Sequence, residues 1–285
     1  MQVVIAGASG FLGRPLSRAL SADGHSVTAL PRGSTAGVDG SDIVINLAGE
    51  SIAGRRWSAT HKQHILDSRV TTTRNLTNAI RTAARPPSVF ISGSAVGYYG
   101  PLGDEIVTEE APAGHDFLAT VCARWESEAI VAGSDRTRVV LVRTGVVLER
   151  DGGALPQMLP PFWLGAGGPV GSGRQYWPWI HREDWIAMVR WAIATRTVTG
   201  PLNATAPTPV TNRAFASALG RAMHRPSFMP APAFALRLLL GEMADALLLS
   251  GQRAVPAKAE RLGFAFKYPR LDDAFAALFG PRSSR

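Results

Sequence analysis

The sequence predicts an α/β fold, an open and doubly wound parallel sheet followed by a smaller, mostly helical C-terminal lobe. Three observations carry the prediction. A β-branched run, Val3-Val4-Ile5-Ala6, meets three glycines spaced three apart, Gly7, Gly10 and Gly13, and a helical pattern opens at once with Arg14-Pro15-Leu16. Short apolar runs then alternate with helical patterns through the first half of the chain. Those runs lack polar alternation, as parallel strands buried on both faces do.

Taken in order, strands are expected at Val3–Ala6, Val27–Leu30, Ile43–Leu47, Val89–Ser92 and Val139–Arg143. Helices are expected over Pro15–Ala22, about Ser58 to Ala84, and Phe117–Val131. Right-handed crossovers would place the ligand at the carboxyl ends of the strands. After about residue 150 the chain turns rich in loops and tryptophan: Asp151-Gly152-Gly153, Gly165–Pro169, and Trp163, Trp177, Trp179, Trp185 and Trp191. Helical patterns return at Glu183–Thr195, Asn212–Met223, Ala231–Leu249, Ala257–Leu262 and Leu271–Phe279. Residues 1–150 therefore read as a Rossmann-like dinucleotide-binding domain. Residues 151–285 read as a substrate lobe, with segments returning to the first domain and a small helical unit at 229–279. The tail Arg282-Ser283-Ser284-Arg285 is polar and is expected to fray.

At 285 residues the chain can bury a large core, as one big domain or two unequal lobes. Its 46% hydrophobic and 18% charged content is that of a globular protein, and no apolar run reaches membrane-spanning length. The chain opens on a strand without a signal-peptide layout, and one cysteine, Cys122, excludes an internal disulfide and a cysteine zinc cluster. A cytoplasmic location is the expectation. Net charge is +8, but the arginines are scattered and no basic run exceeds Arg55-Arg56. Solvated faces and contacts to an anionic small molecule explain that better than nucleic acid. The histidines show no metal spacing.

The glycine turn specifies a pyrophosphate site. Gly7 permits the turn, Gly10 lets the backbone approach the phosphates, and Gly13 lets the helix pack against the strand. Amides of the loop, from Ser9, Gly10, Phe11 and Leu12, and the helix dipole then face the anion. The second strand ends in Leu30-Pro31-Arg32, with no acid for ribose hydroxyls. Arg32 would instead pair with a 2′-phosphate, which favours NADP(H) over NAD. Leu47-Ala48-Gly49 ends the third strand with small residues suited to run beside the adenosine ribose. Ser94, Tyr98 and Tyr99 follow the fourth strand and offer hydroxyls on the nicotinamide side; a serine-capped turn with packed aromatics is the competing reading. Arg174, in a glycine-rich loop that could act as a lid, is a candidate for a substrate anion, and His181 is a candidate substrate contact.

These segments together resemble the extended short-chain dehydrogenase/reductase superfamily, and more closely its epimerase-like branch, sometimes described as cell-division inhibitors. The resemblance runs through Gly7–Gly13, Asn46–Gly49, Arg56-Trp57, Asp67-Ser68-Arg69, Ser94–Gly100, Asp116-Phe117-Leu118, Trp125-Glu126, Arg143-Thr144-Gly145, Gly167–Gly173 and Trp179-Ile180-His181. The segment from about Met229 to Phe279 is similar to that branch's small extra domain. The resemblance implies a tyrosine followed four residues later by a lysine. The matching positions here read Phe117 and Val121, and no lysine elsewhere completes the pair. Two readings stand: an NADP-dependent oxidoreductase or epimerase-like enzyme with another proton donor (Tyr98, Tyr99, Arg69 or His181), or a catalytically silent NADPH-binding or sensing protein. The oligomeric state is open in both.

Overall fold

The computed structural model describes residues 1–280, so the tail at 282–285 lies outside the described residues. The chain opens with β1 (Gln2–Ala6), α1 (Gly13–Ala22), β2 (Ser26–Leu30), β3 (Ile43–Asn46), α2 (Ala59–Thr82) and β4 (Val89–Ala95). A 3-10 turn, Val96–Tyr99, leads to β5 (Ile106–Val107), α3 (Phe117–Ile130), β6 (Arg138–Thr144) and β7 (Val146–Leu148). Then come α4 (Leu155–Trp163), β8 (Tyr176–Trp177), β9 (Trp179–His181), α5 (Arg182–Ala194), β10 (Gly200–Ala204), β11 (Val210–Thr211) and α6 (Asn212–Met223). The last stretch holds α7 (Ala233–Leu240), α8 (Glu242–Ala244), a π turn at Asp245–Leu249, β12 (Arg253–Ala254), α9 (Ala257–Arg261) and α10 (Leu271–Phe279).

Six strands form one parallel sheet in the order β10-β6-β4-β3-β1-β2. The sixth, β10, is a returning segment from the second half. It pairs with β6 in register from Gly200 opposite Val140 to Ala204 opposite Thr144. Ile5, Ile45, Ile91, Val140 and Val142 pack one sheet face against Leu16 of α1 and Trp185 and Val189 of α5. Val4, Val44, Phe90 and Leu141 pack the other against Leu76 and Ile80 of α2 and Ala129 of α3. A second core joins Trp177, Trp179, Phe215 and Phe275 under α4, α6 and α10. The tryptophans therefore divide: Trp185 belongs to the sheet core, while Trp163 is exposed.

Two helices differ from the sequence expectation. No helix is expected between Leu155 and Trp163, which contains Pro156, Pro160 and Pro161, yet this stretch is helical. Pro156 sits in the first turn, where a missing amide costs nothing, and burial of Leu155, Leu159 and Phe162 holds the rest. The single helix expected over Ala231–Leu249 breaks at Gly241, whose φ of 64° no continuing helix can hold.

Candidate functional site

A cleft of about 610 Å³ opens along the carboxyl edge of the central strands. Its first wall is the β1–α1 turn. Gly7 takes a φ of 83°, and a Cβ there would lie 2.7 Å from the Leu47 carbonyl carbon. A Cβ on Gly13 would lie 2.1 Å from the Gly7 carbonyl oxygen, so only glycine lets α1 begin this close to β1. No side chain caps the first turn of α1. This backbone cradle fits a pyrophosphate, with the dipole of a ten-residue helix behind it. Behind the cradle, buried Asn46 donates through Nδ2 to Thr73 Oγ1 at 2.8 Å, and its Oδ1 accepts the Ala48 amide at 3.2 Å. That clamp sets the path of Leu47–Gly49 past Gly7.

Gly7, Gly10, Phe11, Leu12, Leu47 and Gly49 all line the cleft. Phe11 is fixed from above, because Gly152 and Gly153 leave it room that a Cβ at either would fill within 2.6 and 2.8 Å. Ser9 is exposed at the tip of the turn and Ala48 is half-buried behind Leu47; neither is among the lining residues. Arg32 is exposed just past the end of β2 and pairs with no described residue.

Ser94 brings the opposite wall. It is 4% exposed, and its Oγ donates to Glu126 Oε1 at 2.6 Å. Glu126 is held by Arg143, whose Nε and Nη2 reach its two oxygens at 2.8 Å each. Arg143 Nη1 also donates to the Tyr99 hydroxyl at 3.0 Å, and that hydroxyl donates to Asn203 Oδ1 at 2.6 Å. The chain continues through Glu109, which accepts the amides of Asn203 and Lys258 at 3.1 and 3.2 Å. Burial opposes the charge on Arg143, but its hydrogen bonds to Glu126 and Tyr99 and the nearby Glu126 charge outweigh it and raise its pKa.

This network corrects several expectations. Tyr99 is 1% exposed, does not line the cleft, and burial pushes its pKa up to about 12. It is a strut between Arg143 and β10, not a proton donor to a ligand. Tyr98 also lies off the cleft lining, with the Arg143 guanidinium 3.5 Å from its ring centre. His181 is buried and caps α5, accepting the Glu183 amide at Nδ1 over 3.2 Å, and stacks on Tyr268. Burial lowers its pKa, and it stands away from the cleft lining. Arg174 is exposed and outside that lining too. The loop that carries it is no free lid: Gly167 accepts the Met229 amide at 3.1 Å, Pro169 accepts that of Ala231 at 2.9 Å, and Val170 donates to Asn212 Oδ1 at 2.6 Å.

The α3 pair that faces the cleft one turn apart is Leu118 and Cys122, because Phe117 of the pair read from the resemblance points away from it. Phe117 turns outward against Trp57, with ring centres 5.1 Å apart and Lys62 Nζ 4.5 Å from its ring. Val121 reaches both the cleft and that outer hollow. The conclusion survives the change of register, since neither Leu118 nor Cys122 carries a tyrosine hydroxyl or a charge. Burial pushes the Cys122 thiol up to about 12.

Arg69, named from the sequence only as one alternative proton donor, proves to be a wall of the cleft, and further contributors were not singled out. Arg69, from α2, is 8% exposed and enters the cleft over the Trp125 ring. Thr144 and Trp185 close the floor, joined by the indole N–H donating to Thr144 Oγ1 at 3.1 Å. Ala246–Gln252, following α8, roof the cleft, and Gln252 Nε2 donates to the Val96 carbonyl at 2.6 Å. No local pattern marks such residues, because the partners lie far away in sequence; Arg69 and Thr144 sit in segments that carry the resemblance, without a role attached to Thr144.

Sheet, glycine cradle and roofed cleft define an α/β protein with a dinucleotide-binding fold. The chain belongs to the NAD dependent epimerase/dehydratase family, whose profile matches residues 3–203. Residues 231–278 match a second family, a domain of unknown function (DUF1731). It is 42% identical to an epimerase family protein of Mycobacterium leprae over 96% of this chain and 94% of that one. It is 38% identical to the human epimerase family protein SDR39U1 over 96% and 98%. The crystal structure of human SDR39U1 (isoform 2) with NADPH superposes with a TM-score of 0.92 at 37% identity, covering 98% of this chain and 99% of that one. No helix among the described residues is long and apolar enough to cross a membrane.

Proposed function

We propose that the protein is an NADPH-dependent oxidoreductase of epimerase-like type, acting by hydride exchange at a secondary alcohol or carbonyl carbon of a polyhydroxylated small molecule. Sugar nucleotides are the first class to test. The observation that carries the reading is that one cleft is lined by the glycine cradle at one end and by Ser94 with its Glu126 partner at the other. The structure with NADPH of a relative 37% identical supports the choice of cofactor, and Arg32 at the end of β2 supports the 2′-phosphate. When bound, the nicotinamide supplies or accepts the hydride.

The chain's own part follows from its hydrogen bonds. Ser94 has one hydroxyl proton and gives it to Glu126, so toward the cleft its oxygen acts as an acceptor. It is set to take a hydrogen bond from a substrate hydroxyl and so to orient an alcohol. Arg143 holds Glu126 in place through two hydrogen bonds, one to each carboxylate oxygen. Cytoplasmic residence and a small-molecule partner rather than nucleic acid belong to the same proposal.

Fluorescence titration tests the cofactor part. Wild type should bind NADPH well above NADH. Arg32→Ala should cost about 1.5–3 kcal/mol for NADPH and little for NADH, as loss of a charge-assisted contact does. Equal losses would remove Arg32 from the 2′-phosphate. A screen of carbonyl compounds and sugar nucleotides for NADPH oxidation tests the chemistry, with Ser94→Ala expected to slow any hit ~10²–10³-fold. Leu118 and Cys122 favour a second reading, a silent NADPH-binding protein. Tight NADPH binding with no turnover across the screen would establish it.

A further inference from the structure

We infer that Arg69 holds the nicotinamide ribose of the bound dinucleotide, supplying the cation that the α3 wall lacks. The inference rests on the cofactor reading above. Arg69 is a buried guanidinium in the wall of the cleft. Its Nη1 donates to the carbonyls of Glu50 at 3.0 Å and Ile65 at 3.1 Å. Among the described residues its Nε and Nη2 have no hydrogen-bond partner and no carboxylate pairs with it. Burying a cation with donors unspent is costly unless a ligand completes them.

The side chain is held ready for that ligand. It lies over Trp125 at 5.3 Å, and a Cβ on Gly49 would approach its Cζ to 2.9 Å, so glycine there is what admits the guanidinium. Thr73 Oγ1 donates to the Arg69 carbonyl at 2.7 Å and ties this turn of α2 to Asn46. The donors are therefore fixed before binding.

Position along the sheet selects the ribose over the phosphates. The cradle belongs to β1, and the order β1-β3-β4 takes the dinucleotide across two strand spacings, about 10 Å, to reach Ser94. Arg69 stands in that interval. Gly49 follows β3, and Trp125 packs under Gly93 of β4, where a Cβ would meet it at 2.9 Å. The phosphates are already met by backbone amides at β1. The group that arrives between β3 and β4 is the second ribose, whose adjacent hydroxyls offer two acceptors to the guanidinium fork.

Calorimetric titration of wild type, Arg69→Met and Arg69→Lys with three probes tests this without any substrate. The probes are NADPH, 2′-phospho-ADP-ribose, and 2′-phospho-ADP, which keeps both 5′-phosphates but lacks the second ribose. Arg69→Met should weaken NADPH and 2′-phospho-ADP-ribose about tenfold or more and leave 2′-phospho-ADP unchanged. Arg69→Lys should recover part of the loss. Unchanged binding of 2′-phospho-ADP also shows that the cradle is still folded. Equal loss on all three probes, or no loss on any, overturns the assignment. Failure of the wild type to bind NADPH strikes the cofactor reading first and removes this inference with it.

Discussion

Gly13 and Glu126 show how differently two residues speak from a sequence. A Cβ on Gly13 would sit 2.1 Å from the backbone oxygen of Gly7, six residues earlier in one local turn, so spacing alone announces it. Glu126 owes its role to Ser94, 32 residues before it, and Arg143, 17 after it. No local rule carries those distances, and the same holds for Tyr99, whose hydroxyl is spent on Asn203, 104 residues on. Glu126→Ala leaves Arg143 buried without its partner, which should cost about 3–5 kcal/mol in urea denaturation. Replacing both residues by apolar ones of similar volume should restore much of it. A single-variant cost under about 1 kcal/mol would mean that the pair does not hold β6 against α3.

At the scale of elements, side-chain caps mark two helix starts, while α10 spans its expected Leu271–Phe279 without one. Asp116 accepts the Ala119 amide ahead of α3, and Thr211 accepts that of Ala214 ahead of α6; both helices start where the sequence had them. Proline hid α4 and glycine split the helix expected at Ala231–Leu249, because packing overrode one local rule and enforced another. The glycine-rich stretch 165–174 misled more deeply. Its glycines are required by close approach, as at Gly168, where a Cβ would lie 2.1 Å from the Met229 carbonyl oxygen. Hydrogen exchange should find the amides of Gly171, Met229 and Ala231 protected in the cofactor-free protein, since each bonds to a backbone carbonyl. Exchange at the free-peptide rate would reinstate a lid.

For the whole molecule, the sheet and the glycine cradle were legible because burial on both faces and backbone sterics leave local marks. The roof at 246–252 was not, since its only mark is its distance in sequence from everything it covers. Strand β10 joins the sheet from beyond residue 199, so neither half completes the cofactor platform without the other. Cys122, at the inner wall between those halves, makes this unity measurable. It is the chain's one cysteine, 4% exposed, with its pKa pushed up to about 12 by burial, so the folded protein disfavours the reactive thiolate. A disulfide reagent therefore has a single target that stays silent until the cleft opens. The labelling rate of the native protein, divided by that of the chain in urea, reads the opening equilibrium as a clock, with no background from other thiols. Native labelling should be slower by several orders of magnitude, and NADPH should slow it further by mass action. A native rate near that of the unfolded chain would mean that the wall around Cys122 is open.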